Sequence, residues 1–78
     1  RVLGLAVSPD GQLAVTAGED GRARLWALAQ GEALRVLHAH RRPVRAVSFD
    51  RGGEVFLTAG EDHRLALWSA QGDRLLEL

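Results

Sequence analysis

The chain has 78 residues and a formal net charge of zero, with ten arginines, ten acidic residues, three histidines and no lysine, cysteine or methionine. Without cysteine it cannot form disulfides, thiolate nucleophiles or cysteine-bound zinc sites, and its balanced charge disfavours binding to nucleic acid or anionic membranes. No apolar run suits a membrane span or a signal peptide, so we expect a cytoplasmic protein. Because all ten basic residues are arginine, we expect a bacterial origin. Because the chain contains no initiator methionine, we expect it to be an excerpt of a longer chain.

Three turn signals divide each half of the chain into four short apolar runs. In the first half they are Ser-Pro-Asp-Gly at 8–11, Glu-Asp-Gly at 19–21 and Gln-Gly at 30–31. In the second half they are Asp-Arg-Gly-Gly at 50–53, Glu-Asp-His at 61–63 and Gln-Gly at 71–72. Pro presets the backbone for such turns and Gly allows positive φ. We therefore predict eight strands, at 3–7, 13–17, 23–28, 33–38, 44–49, 55–59, 65–69 and 75–78.

The two halves are copies of one unit with a period of about 42 residues. The matching positions are 16–20 with 58–62, 25–26 with 67–68, 29–31 with 70–72, and 37 with 78. Self-similarity at a period of this length is the sequence signature of a repeat architecture.

The predicted strands do not alternate between apolar and polar residues. Residues 13–15 and 65–68 are apolar throughout, so both faces of each sheet need covering, and no helical pattern is present to cover them. Short hairpin turns make each sheet antiparallel, and like sheets can cover one another by stacking, as they do in a propeller. We predict an all-β fold, a fragment of a β-propeller with two four-stranded antiparallel blades at 1–38 and 39–78 that belong to one larger domain.

Four residues of the second repeat stand at fixed spacings, since His40, Thr58, Asp62 and Trp68 are separated by 18, 4 and 6 residues. Together with the repeat, this pattern resembles the WD40 repeat family over the whole chain. The resemblance implies that the four residues form a structural tetrad. A buried imidazole, hydroxyl, carboxylate and indole can satisfy one another's hydrogen bonds, as a sheet covered on both faces requires.

The first repeat carries Thr16, Asp20 and Trp26 at the same spacings, and the matching histidine would fall before residue 1. The chain departs from the family pattern at Ala39, where glycine usually precedes the histidine, and at Ala27 and Ser69, where aspartate usually follows the tryptophan. These departures bear on the loop before the histidine and leave the predicted fold unchanged.

Two chemical alternatives compete with the structural reading of these residues. His40, Asp62 and a nearby hydroxyl could form a hydrolase triad, but Thr, Asp and Trp recur in both repeats, and a catalytic group needs no second copy. His38, His40 and His63 could bind a metal ion, but no clustered carboxylate completes the three or four ligands that such a site needs. We therefore expect no enzyme activity, metal or cofactor, and we interpret both tryptophans as buried residues rather than exposed partner anchors.

The function predicted for the chain is that of a non-catalytic scaffold that binds proteins or peptides. The resemblance implies contacts through the loops at the tetrad end of the blades, where the candidate residues are Arg41, Arg42, Glu19, Glu61 and His63. Arg41, Arg42 and Arg45 could contact an acidic peptide or a phosphate, or they could be a solvated loop neutralised by the acidic residues near them.

Two other functions stay open at this point. The blades could be an accessory or sensor propeller of a larger bacterial signalling enzyme, such as a protein kinase, or of a protease, with catalysis elsewhere in that protein. Further repeats in the same chain would then cover the remaining sheet faces. Alternatively, separate chains could assemble into a closed ring, because two blades alone leave two of their four faces uncovered.

Overall fold

Eight β-strands and no helix make up the fold, in a computed structural model that describes residues 1–78. The first sheet contains β1 (Val2–Val7), β2 (Leu13–Gly18), β3 (Arg22–Ala27) and β4 (Glu32–His38), and the second contains β5 (Val44–Phe49), β6 (Val55–Gly60), β7 (Leu65–Ser69) and β8 (Arg74–Glu77). Strands adjacent in sequence are adjacent in each sheet, and every pairing is antiparallel. The predicted all-β fold is therefore confirmed. The structure holds no helix that could cross a membrane.

The strand ends lie within one residue of the predicted ends. The third strand was expected to include Leu28, and this is wrong by one residue, because β3 ends at Ala27. The Leu28 N–H donates to the Gln12 carbonyl at 2.9 Å, and the Gly31 N–H closes a tight turn onto the Ala27 carbonyl at 2.9 Å. The chain thus turns back one residue earlier than its apolar run suggests.

Short polar side chains hold the hairpin turns between the strands. In the β1–β2 turn, the Ser8 hydroxyl donates to the Asp10 carboxylate at 2.6 Å and accepts from the Leu13 N–H at 3.0 Å. In the β5–β6 turn, the Asp50 carboxylate accepts from the Glu54 N–H at 2.9 Å. Such local bonds specify a turn before any tertiary contact forms.

The core lies between the two sheets, which pack face to face. Its buried members from the first sheet are Val15, Ala17, Ala23, Leu25 and Leu37, and those from the linker and the second sheet are Ala39, Val44, Phe56, Ala66 and Trp68. Within it the rings of Phe56 and Trp68 lie parallel with their centroids 6.3 Å apart. Both sheets contribute to this one core, so no gap between cores marks a boundary between repeats. The division into two blades at 1–38 and 39–78 therefore stays a prediction.

Each sheet also has one uncovered face. We call front face the surface of the first sheet that carries Leu5, Val7, Thr16, Trp26 and Val36, which the strand pairing places on one side. We call back face the surface of the second sheet that carries Leu57, Ala59, Leu65, Leu67 and Leu76. Several of these apolar side chains are exposed, including Leu5 at 63% and Leu76 at 51%. The two faces therefore stand ready to pack against another apolar surface.

Candidate functional site

Residues 39–43 link the two sheets and carry a histidine into the space between them. The His40 backbone N–H donates to the Gly21 carbonyl at 3.0 Å, which ties the linker to the turn between β2 and β3. The side chain of His40 has no exposed surface. Both its ring nitrogens must therefore find partners inside the protein, since an unpaired buried polar group is costly.

The sequence-predicted tetrad of the second repeat forms one continuous hydrogen-bonded chain. The Trp68 indole N–H donates to the Thr58 hydroxyl at 3.0 Å, His40 Nε2 lies 2.9 Å from the same oxygen, and His40 Nδ1 lies 3.0 Å from the Asp62 carboxylate. A carboxylate can only accept, so Nδ1–H donates to Asp62 and Nε2 accepts the Thr58 proton when the ring is neutral. No buried side-chain nitrogen or oxygen in the structure lacks a partner.

The carboxylate of Asp62 connects the hydrogen-bonded tetrad to the backbone of the neighbouring loops. Partial burial tends to raise its pKa, but the hydrogen bonds from the His40 ring and from the backbone N–H groups of Arg64 and Arg41 outweigh burial and hold the pKa below its ordinary value. The Arg64 N–H donates at 3.1 Å. Asp62 therefore stays ionised and joins the linker to the turn between β6 and β7.

Two residues that the repeat pattern does not mark support the linker. Arg74 lies with its guanidinium carbon 4.9 Å from the centre of the Trp68 ring, and it donates to the carbonyls of His38 at 3.1 Å and Ala39 at 3.2 Å. Gly60 leaves room for the imidazole of His40. The signal for Arg74 was its departure from the repeat, because the matching residue of the first sheet is Ala33. Ala39 itself is buried at the usual glycine position.

The first repeat contains only part of this arrangement. The Trp26 indole N–H donates to the Thr16 hydroxyl at 3.1 Å, but Asp20 accepts from the Arg24 guanidinium at 3.1 Å rather than from a histidine. The Arg22 backbone N–H and the Arg24 side chain hold the pKa of Asp20 below its ordinary value. The expectation that both tryptophans are buried is wrong for Trp26, which is half-buried, because no sheet covers the front face.

The candidate contact residues lie in the loops at the tetrad end of the sheets. We expected acidic residues nearby to neutralise the arginines of these loops, and the structure shows a different set of ion pairs. Glu61 binds Arg45, whereas Glu19 lies 3.9 Å from Arg1. The side chains of Arg41 and Arg42 are exposed and form no ion pair, and of the three arginines of this loop only Arg45 is paired with an acidic side chain. His63 is exposed, with a left-handed φ of 65°.

A cleft of about 420 Å³ opens beside the linker. Its lining residues are His38, Ala39, His40, Arg41, Asp62, Arg64, Arg74 and Glu77. Glu77 lies 3.6 Å from the Arg64 guanidinium and 3.4 Å from that of Arg74, so these charges are already balanced within the chain. Arg41 is the arginine of the cleft with no acidic partner.

Thr58, His40 and Asp62 are hydrogen-bonded in the order of a hydrolase triad, but the Thr58 hydroxyl is not accessible to a substrate. Thr58 is fully buried, and its oxygen already accepts the Trp68 N–H, so a substrate carbonyl cannot reach it in this conformation. His38 is exposed, whereas the His40 ring is enclosed and both its nitrogens already bind Asp62 and Thr58. The structure places no group of three or more His, Asp or Glu side chains where they could hold a metal ion.

Comparison with known proteins gives matches over most of the chain. The family model described as WD domain, G-beta repeat, matches residues 1–27 and 31–69. WD repeat-containing protein 86 of Homo sapiens is 50% identical over 36 residues, which are 46% of this chain and 10% of that protein. Periodic tryptophan protein 2 homolog of Dictyostelium discoideum is 40% identical over 45 residues, which are 58% of this chain and 5% of that protein. The chain therefore spans a small part of the length of either relative.

Two solved structures share the fold. The structures of U3-55K and of the RRP9 WD40 repeats each match 100% of this chain with a TM-score of 0.95 and 23% sequence identity, over 24% of the solved chain. At this level of identity the likeness establishes the arrangement of the strands.

Proposed function

We propose, because this chain belongs to the WD40 repeat family, that it is a non-catalytic scaffold that binds a protein or peptide through the loops at the tetrad end of its sheets. The observation that carries the proposal is that a linker held by the hydrogen bonds of His40 carries two exposed charges without ion-pair partners. Arg41 and Arg42 follow directly on the buried His40 and have no ion-pair partners. A charge held on a rigid support loses little freedom on binding, which favours recognition.

The chemistry of these loops favours a partner that carries acidic side chains. Arginine presents several N–H donors in a planar fork and binds carboxylates or phosphates in two-point contacts. Arg41 also lines the 420 Å³ cleft, which is large enough for a side chain to enter. Glu19, Glu61 and His63 border the same end of the sheets and would set which neighbours of the acidic residue are accepted.

The chain itself offers a matched control at the opposite end of the sheets. Arg51 is exposed, has no ion pair, and lies in the β5–β6 turn, whereas the linker lies at the end where β6 meets β7. A double variant Arg41→Glu and Arg42→Glu reverses the charge at the proposed site. Arg51→Glu reverses one charge away from the site, and the single variant Arg41→Glu is its exact match in charge.

The experiment is a peptide-display selection on the immobilised chain, followed by affinity measurement with the enriched peptides. We expect peptides with acidic residues, whose affinity falls at least about tenfold with the Arg41→Glu and Arg42→Glu variant, a loss of about 1.4 kcal/mol, and stays unchanged with Arg51→Glu. Enrichment of no peptide, or equal loss in both variants, would contradict the proposal.

Cytoplasmic location and bacterial origin remain proposals from composition, and the two relatives named above come from eukaryotes. A role as a sensor or accessory part of a larger signalling enzyme, or of a protease, remains an alternative proposal, and no contact of the described residues favours it.

A further inference from the structure

The outer edge of β4 is an unpaired strand edge in the middle of the chain. β4 is the last strand of the first sheet, so one of its edges bonds to β3 and the other has no strand beside it. Both ends of β4 continue into described residues, namely the turn after β3 and the linker 39–43. Residues 35–38 of this strand pair with β3 in a regular register, so the edge that they present is straight.

The backbone groups on this open edge belong to Val36 and His38. The His38 carbonyl accepts from the Arg74 guanidinium at 3.1 Å, so it points away from β3. Backbone groups alternate in direction along a strand, and Val36 therefore turns its N–H and its carbonyl to the open edge as well, whereas Arg35 and Leu37 bond to β3. The N–H groups of Val36 and His38 and the Val36 carbonyl are thus available to an added strand.

A groove of about 320 Å³ opens beside this edge. One of its walls is formed by residues 35–38 of β4, and the other by Trp68 and residues 72–74, which lead into β8. Successive residues of a strand point to opposite faces of the sheet, so a groove that contacts four of them in a row lies along the strand edge. A side-chain carbon at Gly72 would stand 3.0 Å from Cδ of Arg35, which shows that the turn before β8 packs directly on β4 and sets the width of the groove.

The charges of the groove favour an acidic partner. Its lining carries the guanidinium groups of Arg35 and Arg74 against the single carboxylate of Asp73, so positive charge is in excess. Only Nη1 of Arg35 is bonded within the chain, to the Gln71 carbonyl and the Asp73 carboxylate, each at 3.3 Å. Since a guanidinium has five N–H donors, Arg35 can bind a second carboxylate without releasing Asp73.

We propose that the open edge of β4 is a strand-addition site for an extended acidic segment of a partner protein, a site separate from the loop site proposed above. The segment adds to the first sheet as a further strand and bonds through its backbone to Val36 and His38. Alternate side chains of the segment point into the groove, where acidic groups meet Arg35 and Arg74. The side chains between them lie beside Val36, which is 47% exposed, so apolar residues suit those positions.

The test is amide hydrogen exchange, followed residue by residue by NMR, with and without a short blocked peptide of alternating glutamate and valine. We expect the peptide to slow exchange of the Val36 and His38 amides at least about tenfold. The amides of Arg35 and Leu37 already bond to β3 and are expected to change by less than about twofold. Exchange at Val36 that stays unchanged at the highest soluble peptide concentration would overturn the proposal.

Changes in the peptide separate backbone pairing from charge, and they cannot unfold the chain. N-methylation of the valines blocks one edge of the extended peptide, and N-methylation of the glutamates blocks the other. Because an added strand pairs through one edge only, one of the two methylated peptides is expected to protect Val36 and the other is not. Equal behaviour of the two would contradict strand addition. A peptide of alternating lysine and valine is expected to give no protection, and equal protection by it would refute the acidic preference.

Variants of the chain locate the site. Arg35→Gln is expected to weaken binding of the glutamate–valine peptide about three- to fivefold, whereas Arg51→Gln, at an exposed turn, leaves it unchanged. Equal effects of these two variants would argue against the groove.

The double variant Arg41→Glu and Arg42→Glu, which removes the loop site, is expected to keep the protection of Val36 at saturating peptide, so the two proposals can fail separately. Loss of that protection would place the peptide on the loops and overturn the edge site. So would a Val36 amide that becomes protected without peptide as the chain concentration rises, because a second copy would then cover the edge.

Discussion

Gly60 lies so close to His40 that a side-chain carbon at position 60 would stand 2.6 Å from both Cγ and Nδ1 of the imidazole. The backbone of β6 is therefore one wall of the pocket that holds the His40 ring. Because β6 also carries Thr58, two residues earlier, one strand supplies both a wall of the pocket and a hydrogen-bond partner of the ring.

Replacing Gly60 by alanine is expected to displace the imidazole from Thr58 and Asp62. We expect a loss of about 1–3 kcal/mol in the free energy of unfolding, since overpacking a closed site forces its neighbours to move. The measurement is the midpoint of urea denaturation of the Gly60→Ala variant against that of the wild-type chain. Gly52→Ala is the control, since a side-chain carbon there would meet nothing closer than 3.5 Å and its φ is not positive. Equal effects of the two changes would contradict the close approach.

Loss of the Asp62 carboxylate is expected to destabilise the linker. Asp62→Ala leaves the His40 Nδ1–H and two backbone N–H groups without their acceptor, which costs about 1–3 kcal/mol at neutral pH. An unchanged denaturant midpoint would show that the network does not hold the linker in place.

The stabilisation by Asp62 is also expected to depend on pH, in a direction that follows from its lowered pKa. The folded chain binds this proton less readily than the unfolded chain, whose carboxyl titrates near the ordinary value of 3.8. The contribution is therefore fully present well above that value and is lost as the pH falls through the lower pKa of the folded state. Denaturation of the wild-type chain and of Asp62→Asn between pH 7 and pH 3 should give a stability difference that narrows on acidification; a difference that widens would oppose this sign.

The two tryptophans provide a matched pair within one chain. Trp68→Phe removes the N–H donor to the fully buried Thr58 and leaves Arg74 a smaller aromatic ring to cover, and we expect it to cost about 1–3 kcal/mol. Trp26→Phe removes the equivalent bond to Thr16 on an uncovered face, where water can replace the donor, and we expect a smaller loss. Urea denaturation of both variants tests this ranking, and a larger loss for Trp26→Phe than for Trp68→Phe would contradict it.

Arg74 is expected to stabilise the linker from the side of the second sheet. Arg74→Met keeps much of the aliphatic packing but removes the contact with the Trp68 ring and the hydrogen bonds to the carbonyls of His38 and Ala39. We expect a loss of about 1 kcal/mol and faster hydrogen exchange of the His40 amide. Arg51→Met, at an exposed turn, is the control and should change neither quantity; a His40 amide that exchanges equally slowly in both variants would rule out this role.

The turns, the strand ends and the members of the tetrad could be predicted from the sequence, because they depend on residues close together in the chain or on the repeat. The side chains of Ser8, Asp10 and Asp50 hold the turns at 8–11 and 50–53, and these local bonds explain why the four strand ends beside the two turns lie at their predicted positions. The spacing of His40, Thr58, Asp62 and Trp68 marked the residues that the structure joins in one hydrogen-bonded chain. The tetrad positions can be identified from the repeat because both copies place the same residue types at the same spacings.

The features that depend on which surfaces meet were decided only by the tertiary structure. Trp26 and Trp68 are repeat-equivalent, yet Trp68 is 4% exposed and Trp26 is half-buried, because a sheet covers one and not the other. The pairing of Glu61 with Arg45, which leaves Arg41 without a partner, likewise depends on how the linker crosses between the sheets. The strands, their turns and the members of the network follow from local bonding and periodicity, so they can be read from the order of the residues. Burial and ion pairing follow from the packing of distant segments, which a residue's neighbours in sequence do not specify.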